Sequence, residues 1–388
     1  MLVYYTYLAL SGARATSGIW ILYLLGRGLP LWEIGLLESA FHVTVLLGEV
    51  PTGYFADRVG HRWSLALGAL CGVGSNLLFL AATAPTAFLA AFVLSALSWV
   101  LPSGADRAVL YGMTSDAAEY PRRAAKAGAV RSLASAAGLL LGGGAAAVWG
   151  LGMAYDVEAG ALGFALIVSL LLPTVPRTHD ASAEPVPWRE VLAAARALLR
   201  PIASGSLVFA AMNLASLLLQ PLLAARGAAA SLVAWSRGAS ELMLALGSLL
   251  AGRLQGSQTR RRFAQALPVG LAALYALVGR SSLWPAIGLQ QLESAAGGAY
   301  EAALDAEQMP LFPPRLRATL FSLQSALQSA MVAVLFPVFG WVLGSVHYGG
   351  VFLAIAALAA AGALLWHRSG RRHGDAVADL AGEVTGTK

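Results

Sequence analysis

Apolar residues run in long blocks along this chain, each ended by a short polar break, and they do not alternate with polar ones. A helix that crosses a bilayer needs about 20 mostly apolar residues, at ~1.5 Å of rise each. Blocks of that length fall at 3–25, 32–56, 63–83, 85–107, 127–149, 155–174, 202–225, 229–252, 263–280, 282–304, 318–341 and 348–367. Twelve helical spans are therefore predicted. The lack of alternation, with Ala and Leu dominant, argues against strands.

Composition supports the same solvent. Charged residues make up 12% of the 388 positions and hydrophobic ones 58%, whereas soluble domains carry roughly 25% charged residues. Too few ions remain to coat a water-facing surface. The formal charge of +6 does not point to nucleic acid, because the basic residues lie between apolar blocks rather than on one polar domain. Cys71 is the single cysteine, so an intramolecular disulfide is excluded and packing is its expected role. The opening MLVYYTYLAL lacks a basic n-region and leads straight into the first span, unlike a cleavable signal peptide.

Basic residues orient the spans. Of the 26 Lys and Arg, Arg27, Arg226 and Arg280 fall on one side of the predicted alternation, Arg14, Arg131 and Arg237 lie within spans, and the rest fall on the other side. The basic side is cytoplasmic, and the bias fits an even number of spans with both termini in the cytoplasm. Trp32, Trp63, Trp149, Trp284, Trp341 and Trp366 fall at predicted helix ends, where indoles favour the headgroup layer. Trp20, Trp99 and Trp235 lie deeper.

Six spans precede the long polar interruption at 173–200 and six follow it. The predicted organisation is an N-terminal six-helix half (1–175), a cytoplasmic linker (176–200), a C-terminal six-helix half (201–367) and a disordered cytoplasmic tail (368–388). The linker from Trp188 reads either as a short amphipathic helix presenting Arg189, Arg196 and Arg200 to headgroups or as a solvated connector.

A charged, glycine-bracketed turn joins the second and third spans: Gly53, Tyr54, Phe55, Ala56, Asp57, Arg58, Val59, Gly60, His61, Arg62, Trp63, Ser64, Leu65. It resembles the hallmark loop of the major facilitator superfamily, Gly-x-Leu-Ala-Asp-Arg-x-Gly-Arg-Lys-x-x-Leu. Gly53, Ala56, Asp57, Arg58, Gly60 and Leu65 match, Arg62 is conservative, and Phe55 and His61 depart. A second copy in GSLLAGRLQGSQTRRRF keeps Gly247, Leu249 and the basic run but has no Asp. The resemblance implies an all-α membrane protein with the twelve-helix fold of that family. It also implies a cytoplasmic charge cluster that favours one conformation. LPSGADRAVLYG, residues 101–112, resembles the fourth-span end of bacterial drug-exporter-like members. Gly53, Asp57, Arg58, Gly60, Arg62, Asp106, Arg107 and Arg131 are thus the expected conformational gate, which Glu49 can join. Small residues fill the fifth span, GLLLGGGAAAVWG, as close helix packing requires.

An intramembrane charge costs several kcal/mol unless it is paired or faces water, so each one marks a candidate site. Arg14 lies near the centre of the first span in the stripe Tyr7, Ser11, Arg14, Gly18, with Glu38 and Glu241 as candidate partners. Glu38 with His42, and Arg237 with Glu241, are spaced i, i+4 and can meet on one helix face. Asn213, Gln220, Gln290, Glu293 and Gln324 supply further polar positions, either cavity lining or interhelical hydrogen bonds. Trp99 is a candidate aromatic wall. Together these form the expected substrate and proton cavity.

The predicted function is secondary transport by alternating access in the inner (plasma) membrane, most simply proton-coupled export of small amphipathic or hydrophobic compounds. Symport or uniport of a small polar solute is the same-fold alternative. A cavity richer in Gln and Asn than in aromatics would favour it. A receptor or scaffold is the remote alternative. No HExxH, Gly-x-Ser-x-Gly or Walker-type motif is present, and the six histidines lack metal-ligand spacing, so neither an enzyme nor a metal or cofactor is expected. The expected partners are a small molecule, protons and lipid. A monomer is the family default.

Overall fold

The computed structural model describes residues 1–114, 119–174, 188–253, 257–313 and 316–369. The part of the linker at 175–187 and the tail from 370 lie outside the described residues. Among the described residues every regular element is a helix. They pack as two compact units, one comprising Met1–His179, Leu219–Leu242 and Ala333–Gly344, the other Asp180–Leu218, Met243–Val332 and Ser345–Lys388.

The first unit opens with α1 (Leu2–Gly12) and α2 (Trp20–Gly26), followed by α3 (Leu31–Val59), α4 (His61–Ala81), α5 (Pro85–Val100), α6 (Ala105–Gly112), α7 (Tyr120–Trp149) and α8 (Met153–Ser169). The first span predicted over 3–25 is therefore not one helix. Residues 13–19 leave helical geometry between two short segments. The fourth predicted span is also interrupted, with α5 ending at Val100 and α6 starting after a turn whose Gly104 takes φ +79°. The turn between α3 and α4 closes on Gly60 at φ +116°, a left-handed conformation that glycine adopts without a Cβ penalty.

Seven residues, about two turns, cannot bury much of α2 alone, so aromatic contacts hold it. Tyr23 and Phe79 both pack on Tyr155, at 4.5 and 5.3 Å between ring centroids, and Trp20 meets Phe92 edge-on at 5.6 Å. The Tyr23 hydroxyl donates to the Phe79 carbonyl at 3.0 Å and accepts from Arg27 Nη2 at 2.7 Å. Outside this core, Leu47 and Val50 on α3 and Leu140, Leu141 and Val148 on α7 are exposed. An apolar surface of this kind is what lipid covers.

The second unit is built around α9 (Trp188–Ala197), α12 (Ser257–Val278), α13 (Leu283–Gln308) and α15 (Tyr348–Ser369). Helices α10 (Leu199–Ala225), α11 (Ala230–Gly252) and α14 (Arg317–Val342) contribute residues to both units. Trp188 does begin a helix, and its apolar side, Val191 and Ala194, with Leu198 just beyond its end, packs with Phe312, Leu316 and Leu320 while Arg189 and Arg196 stay exposed. Gly247 of α11 and Gly298 of α13 lie against the backbone at Ala295 and Leu244, so a side chain at either would meet main chain.

Seven helices among the described residues, Pro85–Gly112 counted as one, are long and apolar enough to cross a membrane. The remaining predicted spans fall short for visible reasons. The first is broken, α8 has 17 residues, α11 carries Arg237 and Glu241, α12 begins with a basic run, and α13 carries Glu293, Glu301, Asp305 and Glu307.

Candidate functional site

The break in the first span is stabilised by side chains from distant parts of the first unit. The Thr16 backbone N–H and its hydroxyl both donate to Glu158 Oε2, at 2.8 and 2.7 Å. Gln220 bridges the other end: its Oε1 accepts from the Ile21 N–H at 3.2 Å and its Nε2 donates to the Ser17 carbonyl at 3.0 Å. Irregular backbone at membrane depth persists only where such groups are satisfied within the protein or line a cavity. The chain can also approach closely here, because α7 presents glycine. A β-carbon on Gly138 would lie 2.6 Å from the Ala13 carbonyl carbon, and one on Gly18 2.8 Å from Ala234 Cα.

A cavity of about 710 Å³ opens beside this break, entirely within the first unit. Tyr4, Tyr7, Ser11 and Arg14 line one wall, Ser95, Ser98 and Trp99 another, and Phe41, Tyr120 and Glu158 also face it. The Arg14 guanidinium stands 4.0 Å over the Trp99 ring, a cation–π arrangement worth ~0.5–2 kcal/mol. At the cavity's other end Arg131 Nη2 meets Asp106 Oδ2 at 2.6 Å, and Asp106 Oδ1 accepts from the Arg107 N–H at 2.7 Å. Volume and mixed lining suit a small organic molecule.

The other predicted site residues are placed elsewhere. Glu38 and His42 approach to 3.7 Å, and Arg237 and Glu241 to 2.8 Å, each on its own helix. Neither pair lines the cavity. Gln220 is a staple of the broken backbone rather than a lining residue. Asn213 is exposed and donates to the Phe209 carbonyl of its own helix at 3.1 Å. Gln290, Glu293 and Gln324 are buried in the second unit, where Glu293 accepts from the Tyr275 hydroxyl at 2.9 Å. Trp235 is pinned on α7, donating to the Leu140 carbonyl at 3.2 Å. Glu158 escapes the sequence reading. Its one local signal is a carboxylate in the otherwise apolar stretch after MAYDV, and its partner Thr16 is remote in sequence.

In the α3–α4 turn, Arg58 stacks on Tyr54 at 4.5 Å and Arg62 on Trp63 at 5.2 Å. Asp57 is exposed, and no ion pair among the described residues includes it. Gly53 has open space around it.

The family model described as Major Facilitator Superfamily matches residues 4–223. The chain belongs to that superfamily. A relative from Bacillus subtilis (strain 168), "Uncharacterized MFS-type transporter YxaM", is 40% identical over 68 residues, a match that spans only 17% of either chain. Among solved structures, a mutant form of the nucleoside transporter NupG superposes with a TM-score of 0.77 at 14% identity, covering 95% of this chain and 100% of that one. A bacterial homolog of the human lysosomal transporter Spinster, in an inward-facing and occupied conformation, gives 0.72 at 14%, covering 95% of each chain. The D-xylose-proton symporter gives 0.71 at 17%, covering 94% and 96%. At these identities the likeness is one of fold. The chain is thus a multi-pass membrane transporter of the major facilitator type.

Within that superfamily the exposed, unpaired Asp57 leads to a clear expectation. Asp57→Asn should leave the melting temperature in detergent unchanged, because it removes no ion pair present here, while slowing transport several-fold by weakening a conformation in which the aspartate is engaged. Thermal melting and initial uptake rates measured on the same preparation check this; unchanged rates remove Asp57 from the gate.

Proposed function

We propose that this protein is a twelve-span secondary transporter of the inner membrane, with both termini cytoplasmic. It works as a monomer by alternating access between the halves 1–175 and 201–367, and exports small amphipathic compounds against an inward flow of protons. The observation that carries the substrate reading is the cavity lining. It holds five aromatic residues, Tyr4, Tyr7, Phe41, Trp99 and Tyr120, and no Asn or Gln. That balance favours an amphipathic compound over a sugar-like solute, which polar amides would hold. Glu158, the carboxylate beside the helix break, is the best-placed proton carrier. The gate comprises Asp106, Arg107 and Arg131 with the Gly53–Arg62 turn.

A second reading, uptake by proton symport, is supported by Arg14 and Glu158 lining one cavity. A proton on Glu158 would leave Arg14's charge less opposed, so proton and an acidic solute would bind together. Proteoliposomes separate the two. With an imposed pH gradient and a luminal pH dye, added lipophilic compounds should move protons opposite to themselves. Movement in the same direction favours symport. Compound equilibration with no proton movement at all overturns proton coupling in both forms.

A further inference from the structure

The cavity's charges do not balance. Arg14, Arg107 and Arg131 line it against Asp106 and Glu158, so it holds one surplus positive charge. Arg131 is answered by Asp106 at 2.6 Å, and Arg107 is exposed to water. Glu158 already accepts two hydrogen bonds from Thr16. Arg14 is different. Among the described residues no carboxylate lies within 4.0 Å of its guanidinium and no hydrogen bond engages it. Its only close partner is the face of Trp99. A guanidinium that lies over a ring face and lines a cavity still has its five N–H donors to offer to a bound group. A cation kept at membrane depth without a counter-ion is costly, and a bound anion would offset that cost.

We propose that the compound this transporter carries is a small organic monoanion, its carboxylate or sulfonate held in bidentate fashion by Arg14 and its apolar body lying against Tyr7 and Phe41. The single surplus charge sets the preference for a monoanion, since a second negative charge would face Glu158 across the same space. Ser95 and Ser98 offer hydroxyls to the anion's remaining lone pairs. The proposal rests on the transport reading but not on its direction.

The test uses three probes of one shape and different charge: 1-naphthoate, 1-naphthamide and 1-naphthylmethylammonium. Binding to the purified full-length protein in detergent is measured by calorimetry. Naphthoate should bind at least tenfold more tightly than the amide, a difference of about 1.4 kcal/mol, and the ammonium most weakly. Arg14→Gln should abolish the order and Arg14→Lys should keep part of it. The wild-type series decides even if the variants fail to fold. Equal binding of all three, no binding of any, or tightest binding of the ammonium overturns the proposal. Retention of the naphthoate preference in a well-folded Arg14→Gln protein does so too. The transport reading fails separately: a protein that binds naphthoate preferentially but moves no compound across proteoliposomes keeps this inference and loses that one. One that transports the amide as readily as the acid does the reverse.

Discussion

Gly142→Ala should lower the melting temperature in detergent by several degrees and abolish transport, whereas Gly144→Ala on the same helix should leave both intact or raise stability slightly. In an ordinary helix interior alanine is favoured over glycine by roughly 0.5–1 kcal/mol, so propensity alone predicts that both changes stabilise. Surroundings separate them. A β-carbon at 144 meets nothing within 4 Å, while one at 142 would lie 2.8 Å from the Ala15 carbonyl carbon and closer still to its oxygen. The listener for that clash is main chain, not the tip of a flexible side chain, so either α7 or the 13–19 segment must shift. Overpacking of this kind costs about 1–3 kcal/mol, enough to outweigh the propensity gain. The shift also displaces Arg14 and Thr16, so activity should fall further than stability. Equal melting temperatures for the two variants would show that the break in the first span does not depend on contact with α7.

The apolar blocks made most of the helices legible before any coordinates. The Gly60 turn and the close packing around the Gly138 run were readable locally, because each depends on residues next to one another in sequence, while the helix starting at Trp188 was one of two local readings. The break in the first span was hidden by averaging. Its small residues do not lower the hydropathy of the flanking apolar segments enough to end a span, and Tyr7, Ser11, Arg14 and Gly18 fit a helical stripe. Two glycines, Gly12 and Gly18, flanking Arg14 and the Thr16–Ser17 pair, are the signal that carries it. Arg14 was legible as a candidate because a lone cation is expensive anywhere in a membrane. Glu158 and the stapling role of Gln220 were not, since each is defined by a partner 142 or 199–203 residues away, and a single sequence carries no sign of such pairings. The i, i+4 pairs illustrate the converse. Arg237 and Glu241 meet as their spacing allows, but a local rule cannot say whether a pair faces a cavity.

Glu158 gives the second large effect, and a comparison of two substitutions separates its possible roles. Glu158→Gln should keep the protein folded, because the amide oxygen can still accept from the Thr16 N–H and hydroxyl. Glu158→Ala should destabilise it, because both donors lose their acceptor beside an irregular segment, and an unsatisfied buried polar group costs about 1–3 kcal/mol. If Glu158 only fastens the break, Gln should transport normally and Ala should fail through instability. If it also carries the coupling proton, Gln should lose gradient-driven accumulation by at least tenfold while still exchanging labelled for unlabelled compound at equal concentrations. That exchange needs the cavity and the conformational change but no net proton movement. The pattern of normal melting, intact exchange and lost accumulation is one that a purely structural carboxylate does not produce. Intact accumulation in Glu158→Gln would move the coupling role to Glu38 or Glu241, whose partners His42 and Arg237 hold them on single helices outside the cavity lining. A proton taken up there would have to act on the compound through movement of α3 or α11. At Glu158 it would act directly, because the carboxylate that titrates fastens the segment carrying Arg14, so that a change in its charge alters both the break and the field at the arginine.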